Sequence, residues 1–209
     1  MVTPIKVCQY NLLYDTWLKR KCSQGVIWSI GFVEMAIIVA REWPLPSEIL
    51  SKILSVFMPN GSGPENLHIT HLSAGGMMCI AFGGILRLWC YRTLKHLFTY
   101  EISIRKDHKL VTTGPYSVVR HPGYSGMLIA HIGAIYWYGT RGSWLRESGV
   151  LDTAGGKIFF GSFAAFMMTV VFGLLKRGAL EDRAMREAFG KQWDEWARRV
   201  PYSYVPWIY

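Results

Sequence analysis

The sequence predicts an all-α, polytopic integral membrane protein with about four to five transmembrane helices, a cytosolic loop and C-terminal helices. Three observations carry that prediction. Of the 209 residues 51% are hydrophobic and mean hydropathy is +0.17, although 18% are charged, so the apolar residues must be clustered. They are, in runs at 25–40, 72–91, 127–138 and 158–175. A spanning helix needs ~20 mostly apolar residues, and shorter runs suffice where flanking Arg, Lys, Trp or Tyr reach the interface. Finally, the positive residues of a chain with net charge +9 stand beside those runs, as membrane-flanking charges do. They do not gather on one polar face, so nucleic acid is not an expected partner. A soluble helical bundle would share the composition, but seldom has helices that are apolar on every face.

The first region, 1–91, is read as membrane-embedded, with spans near 24–42 and 72–91. Lys19, Arg20 and Lys21 precede the first apolar run; the positive-inside rule keeps them cytosolic and sends the span toward the lumen. Residues 1–17 lack the basic start and small-residue cleavage site of a signal peptide, so the first span itself is expected to direct targeting. Glu34, in mid-span, is costly in lipid and is expected to be packed and hydrogen-bonded against protein. Residues 45–58, LPSEILSKILSVFM, form a short amphipathic pattern that suits an interfacial or re-entrant helix. Gly61 and Gly63 lack the third glycine and preceding strand of a dinucleotide fingerprint, so 59–70 is read as a lumenal loop. The span at 72–91 carries Gly75, Gly76, Gly83 and Gly84, small residues that let helices approach closely, and Arg87 snorkels toward the cytosol.

Cysteine and histidine usage narrows the chemistry. Cys8, Cys22, Cys79 and Cys90 form no C-x-x-C, and are read as reduced packing residues. His68 and His71 have no acidic or cysteine cluster around them, so no metal is expected.

The second region, 92–209, opens on a basic and aromatic stretch and then a polar loop, 108–126: HKLVTTGPYSVVRHPGYSG. Gly114-Pro115 and Pro122-Gly123 are turn dipeptides that fold the backbone back twice, aiming side chains and N–H groups at a common space. A helix hairpin over 125–175 follows, with His131 inside it read as a structural hydrogen-bonding residue. Residues 176–200 have helical apolar spacing and many charges; Gly190 divides them into two helices, and Pro201 ends the second. The aromatic tail 202–209 suits the membrane interface.

On this layout the loop and the segment after the last span share the cytosolic face, so Arg120, His121 and Tyr124 can meet Arg177 and Glu181. Arg177 and Glu181 are four positions apart and lie on one helical face. Such a pair is ordinarily a surface ion pair, yet a guanidinium at this place can grip a carboxylate or phosphate with its planar fork.

The pattern H-x-L-V-x-x-G-P-Y, then V-R-H-P-x-Y-x-G, then R-x-x-x-E with Phe-Gly eight residues on and a closing Arg-Val-Pro, resembles the isoprenylcysteine carboxyl methyltransferases. The resemblance runs in order over roughly 84–206. It implies an endoplasmic-reticulum membrane enzyme that uses S-adenosyl-L-methionine to methylate the C-terminal carboxylate of prenylated proteins, with its active site facing the cytosol. Carried over by position, it places His108, Lys109, Leu110, Val111, Tyr116, His121, Pro122, Gly123 and Tyr124 in a cofactor-binding loop, with Glu181 as a further cofactor contact. Arg177 and Glu181 become the catalytic residues, and Arg177 with Arg120 the substrate-binding ones. Asp182 replaces the family's second acidic residue, and Trp193 and Trp196 stand where tyrosines are common.

Two further enzyme classes fit parts of the chain. The tail from Arg186 onward is also similar to membrane sterol or alkene reductases that use NADPH, which share an R-H-P-x-Y element. A methyltransferase acting on a phospholipid amine or a small lipophilic acid would keep the same core, although a fixed Arg177 favours a carboxylate over a cationic acceptor. A scaffold without activity is the non-enzymatic alternative; the complete loop argues against it.

Overall fold

A computed structural model of the protein describes residues 25, 29–40, 42–43, 46–58, 63–98 and 109–208. The cluster Lys19 to Lys21 and the side chain of His108 lie outside the described residues. Within them the chain is helical and contains no strand: α1 (Ser29–Ala40), α2 (Ser47–Phe57), α3 (His71–Leu94), α4 (Pro122–Gly139), α5 (Trp144–Glu147), α6 (Ala154–Phe189) and α7 (Lys191–Arg199). Two of these, α3 with its 3-10 extension to Leu97 and α6, are long and apolar enough to cross a membrane. Their apolar side chains face outward: Met78 is 68% exposed, Ile85 64% and Phe172 58%. Water would penalise that surface and lipid would not. Of the other expected spans, α1 is apolar but shorter, and α4 has Gly126, His131 and Gly133 within its run.

The helices fall into two compact units. The first takes Met1–His68 and Arg141–Phe160. In it Glu34 is buried on α1, as a mid-helix carboxylate beside lipid should be, together with Ile30 and Ile37. Trp144 of α5 is buried and donates Nε1–H to Phe57 O at 2.8 Å, while His68 N donates to Gly142 O at 3.2 Å. Residues 141–152 are therefore folded, with α5 and a 3-10 turn at Val150–Asp152.

The second unit takes Ile69–Thr140 and Gly161–Tyr209. Helix α3 starts at a capping box in which Thr70 and Ser73 exchange side-chain and backbone bonds. Its extensive partner is α4, not α6, and the contact is made through glycine. A Cβ built on Gly76 would stand 2.6 Å from Gly133 O, and one on Gly126 would stand 2.8 Å from Gly83 O. Gly76 to Gly83 and Gly126 to Gly133 are each seven positions, about two turns, so both pairs lie on one antiparallel seam. Gly75 and Gly84 face open space and take no part.

Helix α6 decides where chemistry can occur. Its 36 residues span about 54 Å, against a hydrocarbon core of about 30 Å. The last apolar run ends at Leu175, and the same unbroken helix then carries Lys176, Arg177, Glu181 and Asp182 past it. Gly190, at φ +52°, provides the left-handed turn that separates α6 from α7.

Candidate active site

The loop between α3 and α4 is fixed at its near end by a turn on Gly114, whose φ of +61° suits glycine. A 3-10 helix at Gly114–Ser117 follows, with Pro115 buried and Ser117 Oγ donating to Gly114 O at 2.7 Å. This turn brings Tyr116 near Cys90 of α3; burial, with Cys90 and Glu181 nearby, pushes the phenol well above its ordinary pKa and keeps it protonated. From α7, Trp196 donates Nε1–H to Tyr116 O at 3.2 Å. Arg87 of α3 reaches Gly123 O at 3.4 Å and Tyr91 Oη, so this arginine supports the loop.

Arg120 and His121 come next, and both are held from behind by the C-terminal segment. Arg120 N donates to Tyr202 O and His121 N to Ser203 O, each at 2.9 Å. The Arg120 guanidinium donates from Nε to Asp182 Oδ2 at 3.1 Å, from Nη1 to Pro201 O at 2.8 Å and Val200 O at 3.3 Å, and from Nη2 to Ser203 Oγ. Ser125 Oγ donates to Tyr204 O, and Tyr204 Oη donates to Leu175 O at 2.9 Å. The Tyr204 hydroxyl lies over Gly178, where no larger residue would leave it room. The tail expected to lie at the membrane interface is thus split: 202–204 straps the loop to α6, while Trp207 and Ile208 stand 85% and 79% exposed.

His121 lies between two carboxylates. Its Nε2 is 3.1 Å from Asp182 Oδ1 and its Nδ1 is 3.6 Å from Glu181 Oε2. Its ring also stacks on Tyr124 at 5.6 Å and leans on Tyr204 at 5.5 Å. Burial alone would push the imidazole down, but the hydrogen bonds and charge of Asp182 and Glu181 outweigh it, and the pKa is raised.

On the other side of the loop, Arg177 Nε donates to Tyr124 Oη at 2.7 Å and lies 3.1 Å from Glu181 Oε1, to which Tyr124 Oη donates at 2.6 Å. The structure therefore joins Arg120, His121, Tyr124, Arg177 and Glu181 in one network. Pro122 is fully buried in the first turn of α4, and space beside Gly123 is open. Lys109 is exposed and Leu110 and Val111 are half-buried at the start of the described loop; His108 lies outside it.

Asp182 is the residue whose part sequence reasoning understated. Its two oxygens take His121 and Arg120 separately, so it ties α6 to both loop residues at once. Its place beside Glu181 was the available signal. Ser125, Ser203 and Tyr204 left none, because their partners lie 29 to 83 positions away.

The arrangement suits a cationic, polar cofactor meeting an anionic acceptor. Glu181 and the faces of Tyr116 and Tyr124 offer negative charge and π-electron density, and a guanidinium stands alongside. Residues 76–139, from within α3 through the loop to the end of α4, match the model of the Isoprenylcysteine carboxyl methyltransferase (ICMT) family. Protein-S-isoprenylcysteine O-methyltransferase B of Arabidopsis thaliana is 33% identical over 139 residues, 66% of this chain and 60% of that protein. A probable protein-S-isoprenylcysteine O-methyltransferase of Oryza sativa subsp. indica is 29% identical over 147 residues, 69% of this chain and 66% of that protein. Delta(14)-sterol reductase erg24 of Schizosaccharomyces pombe is 28% identical over 118 residues, 56% of this chain and 23% of that protein. The chain thus aligns with less than two thirds of the length of these plant relatives.

Proposed function

From the premise that this chain belongs, through residues 76–139, to the isoprenylcysteine carboxyl methyltransferase family, we propose that it is an S-adenosyl-L-methionine-dependent carboxyl O-methyltransferase. Its acceptor is the C-terminal prenylcysteine carboxylate of prenylated proteins. The enzyme is an integral membrane protein of the endoplasmic reticulum with four to five spans, and its site faces the cytosol. The observation that carries this reading is Arg177, held by Tyr124 and Glu181 just past the last apolar run of α6. A carboxylate whose prenyl chain lies in the bilayer arrives at that height.

When bound, S-adenosyl-L-methionine supplies an electrophilic methyl group on a sulfonium centre. The residues present fit it: Glu181 and the aromatic rings favour its charge, and the open space at Gly123 lets the backbone approach. The acceptor carboxylate, with an ordinary pKa near ~4, is ionised at neutral pH, so no residue has to remove a proton from it. Arg177 grips and orients it while leaving one oxygen exposed as the nucleophile. Leu110, Val111 and Tyr116 cover the reactants and exclude water. Arg120, expected from sequence to help bind substrate, is assigned here to holding the strap, because its nitrogens already serve Asp182, Val200, Pro201 and Ser203.

The test is methyl transfer from labelled S-adenosyl-L-methionine by the protein in nanodiscs. N-Acetyl-S-farnesylcysteine is the expected acceptor; farnesylthiopropionate and a phospholipid amine run beside it. Methylation of the farnesylcysteine supports the assignment. Methylation of the other acceptors alone changes the substrate class, and failure to bind S-adenosyl-L-methionine at all returns the chain to the NADPH-dependent reductase reading.

A further inference from the structure

The connection between α4 and α6 is more elaborate than joining two helices requires. It buries Trp144 and Ser148, turns at Gly142 and Gly149, and returns Arg146 N and Glu147 N to Ser143 O at 3.1 and 3.0 Å. Glu147 Oε1 in turn accepts from Gly142 N at 3.0 Å. This framework surrounds a cavity of about 380 Å³, mostly polar in its lining, formed by Arg141, Arg146, Glu147, Leu151 and Asp152. Its size falls within the range of small-molecule sites, about 300–1,000 Å³.

Two cations and two anions share this space without cancelling. Among the described residues no hydrogen bond or ion pair engages the side chain of Arg141, Arg146 or Asp152. Glu147 is already used by the Gly142 amide, so Asp152 is the carboxylate left for a ligand. Four charges of zero sum suit a ligand that is neutral overall but carries both signs. A guanidinium fork takes two oxygens of a phosphate, and a carboxylate takes an ammonium that still has N–H groups to donate.

The height of the cavity indicates where such a ligand comes from. Asp152 stands two residues before α6, which is long and apolar enough to cross a membrane. The first large apolar side chain exposed on α6 is Ile158, about 6 Å along the axis from Ala154. A headgroup layer extends roughly 5–8 Å beyond the hydrocarbon core on each side. With α6 in a bilayer, the cavity therefore stands at the level of the lipid phosphates.

We propose that this cavity binds a phosphoethanolamine group, as carried by a phospholipid with a primary amine: Arg141 and Arg146 take the phosphate and Asp152 the ammonium. A water-soluble phosphodiester with the same group offers the same chemistry. The site is independent of the methyltransferase reading, since it lies near the Ala154 end of α6, whereas Arg177 lies near the other, and no bond is made or broken in it.

The experiment is native mass spectrometry of the full chain in detergent micelles. It is titrated with dioleoylphosphatidylethanolamine, the corresponding phosphatidylcholine and phosphatidylglycerol, and water-soluble glycerophosphoethanolamine. Phosphatidylethanolamine should bind about tenfold more tightly than phosphatidylcholine, whose ammonium has no N–H, and than phosphatidylglycerol, which offers Asp152 no cation. Arg141→Gln combined with Arg146→Gln should weaken phosphatidylethanolamine binding about tenfold, and Asp152→Asn should bring it level with phosphatidylglycerol. Lys52→Gln, at an exposed lysine of α2, should change neither. Both arginines are exposed and unpaired, so thermal unfolding of their double variant should stay within about 2 °C of the unmodified protein. Should it not fold, Asp152→Asn decides alone, and an unchanged gap between phosphatidylethanolamine and phosphatidylglycerol overturns the proposal. Glycerophosphoethanolamine binding as tightly as the lipid supports the site with a soluble source, and binding of the lipid alone supports it with the bilayer as source. Equal affinity for the three lipids, or the same loss from Lys52→Gln as from the arginine pair, overturns it.

Discussion

The α3–α4 seam and the Arg120–His121 network hold adjoining parts of one unit by opposite means. At the seam, Gly76, Gly83, Gly126 and Gly133 contribute nothing but the absence of a side chain, and backbones approach closely enough for dispersion to act. At the network, almost every polar atom of Arg120 and His121 has a named partner. The difference follows from the solvent. Between helices facing lipid there is no hydrophobic gain to be had, so shape must supply the attraction. Past Leu175 the surroundings are polar, and a charge can be held where enough donors surround it.

The sharpest way to break this comparison is to enlarge one glycine. Gly83→Leu should destabilise the protein by about 3 kcal/mol or more, since the colliding atom is the Gly126 carbonyl, which cannot rotate away. Thermal unfolding in detergent checks this, with Gly84→Leu, whose Cβ direction is open, as the matched control. Similar losses from both would show that the seam is not what is being read, since Leu is the better helix former at either position. Next in size is Arg177→Ala, for which kcat/KM toward the prenylcysteine should fall about 100-fold, or about 2.7 kcal/mol, with S-adenosylhomocysteine affinity within about threefold. Arg120→Ala follows, with a loss of about 2 kcal/mol in thermal stability, because Asp182 and three carbonyl or hydroxyl acceptors of the strap lose their donor together. Restoration by Arg120→Lys should be poor, since an ammonium cannot reproduce the fork.

The smallest effect is a pH dependence confined to the polar region. His121 has a raised folded-state pKa, so it binds its proton more tightly folded than unfolded. Its contribution is complete below the unfolded value of about 6.5 and is lost as pH rises through the folded one, where the bonds to Asp182 and Glu181 lose their charge. Thermal stability followed from pH 6 upward should therefore decline, and His121→Gln should flatten the slope. The seam has no titratable partner among its four glycines, so Gly83→Ala should shift the whole curve without changing that slope.

Sequence reasoning reached these two regions unequally. The glycines of α3 were visible as a close-packing set, but composition does not report helix rotation, and only the structure separates Gly76 and Gly83 from Gly75 and Gly84. Arg177 and Glu181 were legible because four-residue spacing has a fixed meaning on a helix, and His121 because Arg-His-Pro sits in a turn. The strap was not legible, because Tyr202, Ser203 and Tyr204 look like any aromatic tail until they are seen donating and accepting across the fold. Span counting met a similar limit: hydropathy marks a run such as 127–138, whereas helix length and apolarity together select α3 and α6 among the described residues.

The continuity of α6 sets a height as well as a place. Arg177 follows Leu175 by two positions in an unbroken helix, a rise of about 3 Å, so the guanidinium keeps a fixed altitude above the last apolar side chain. On the proposed reading, an acceptor anchored by its own lipid in the same bilayer would have its carboxylate confined to a thin layer at a similar altitude. The two then meet by diffusion in a plane rather than in a volume, and encounter depends on the number of acceptors per area of membrane.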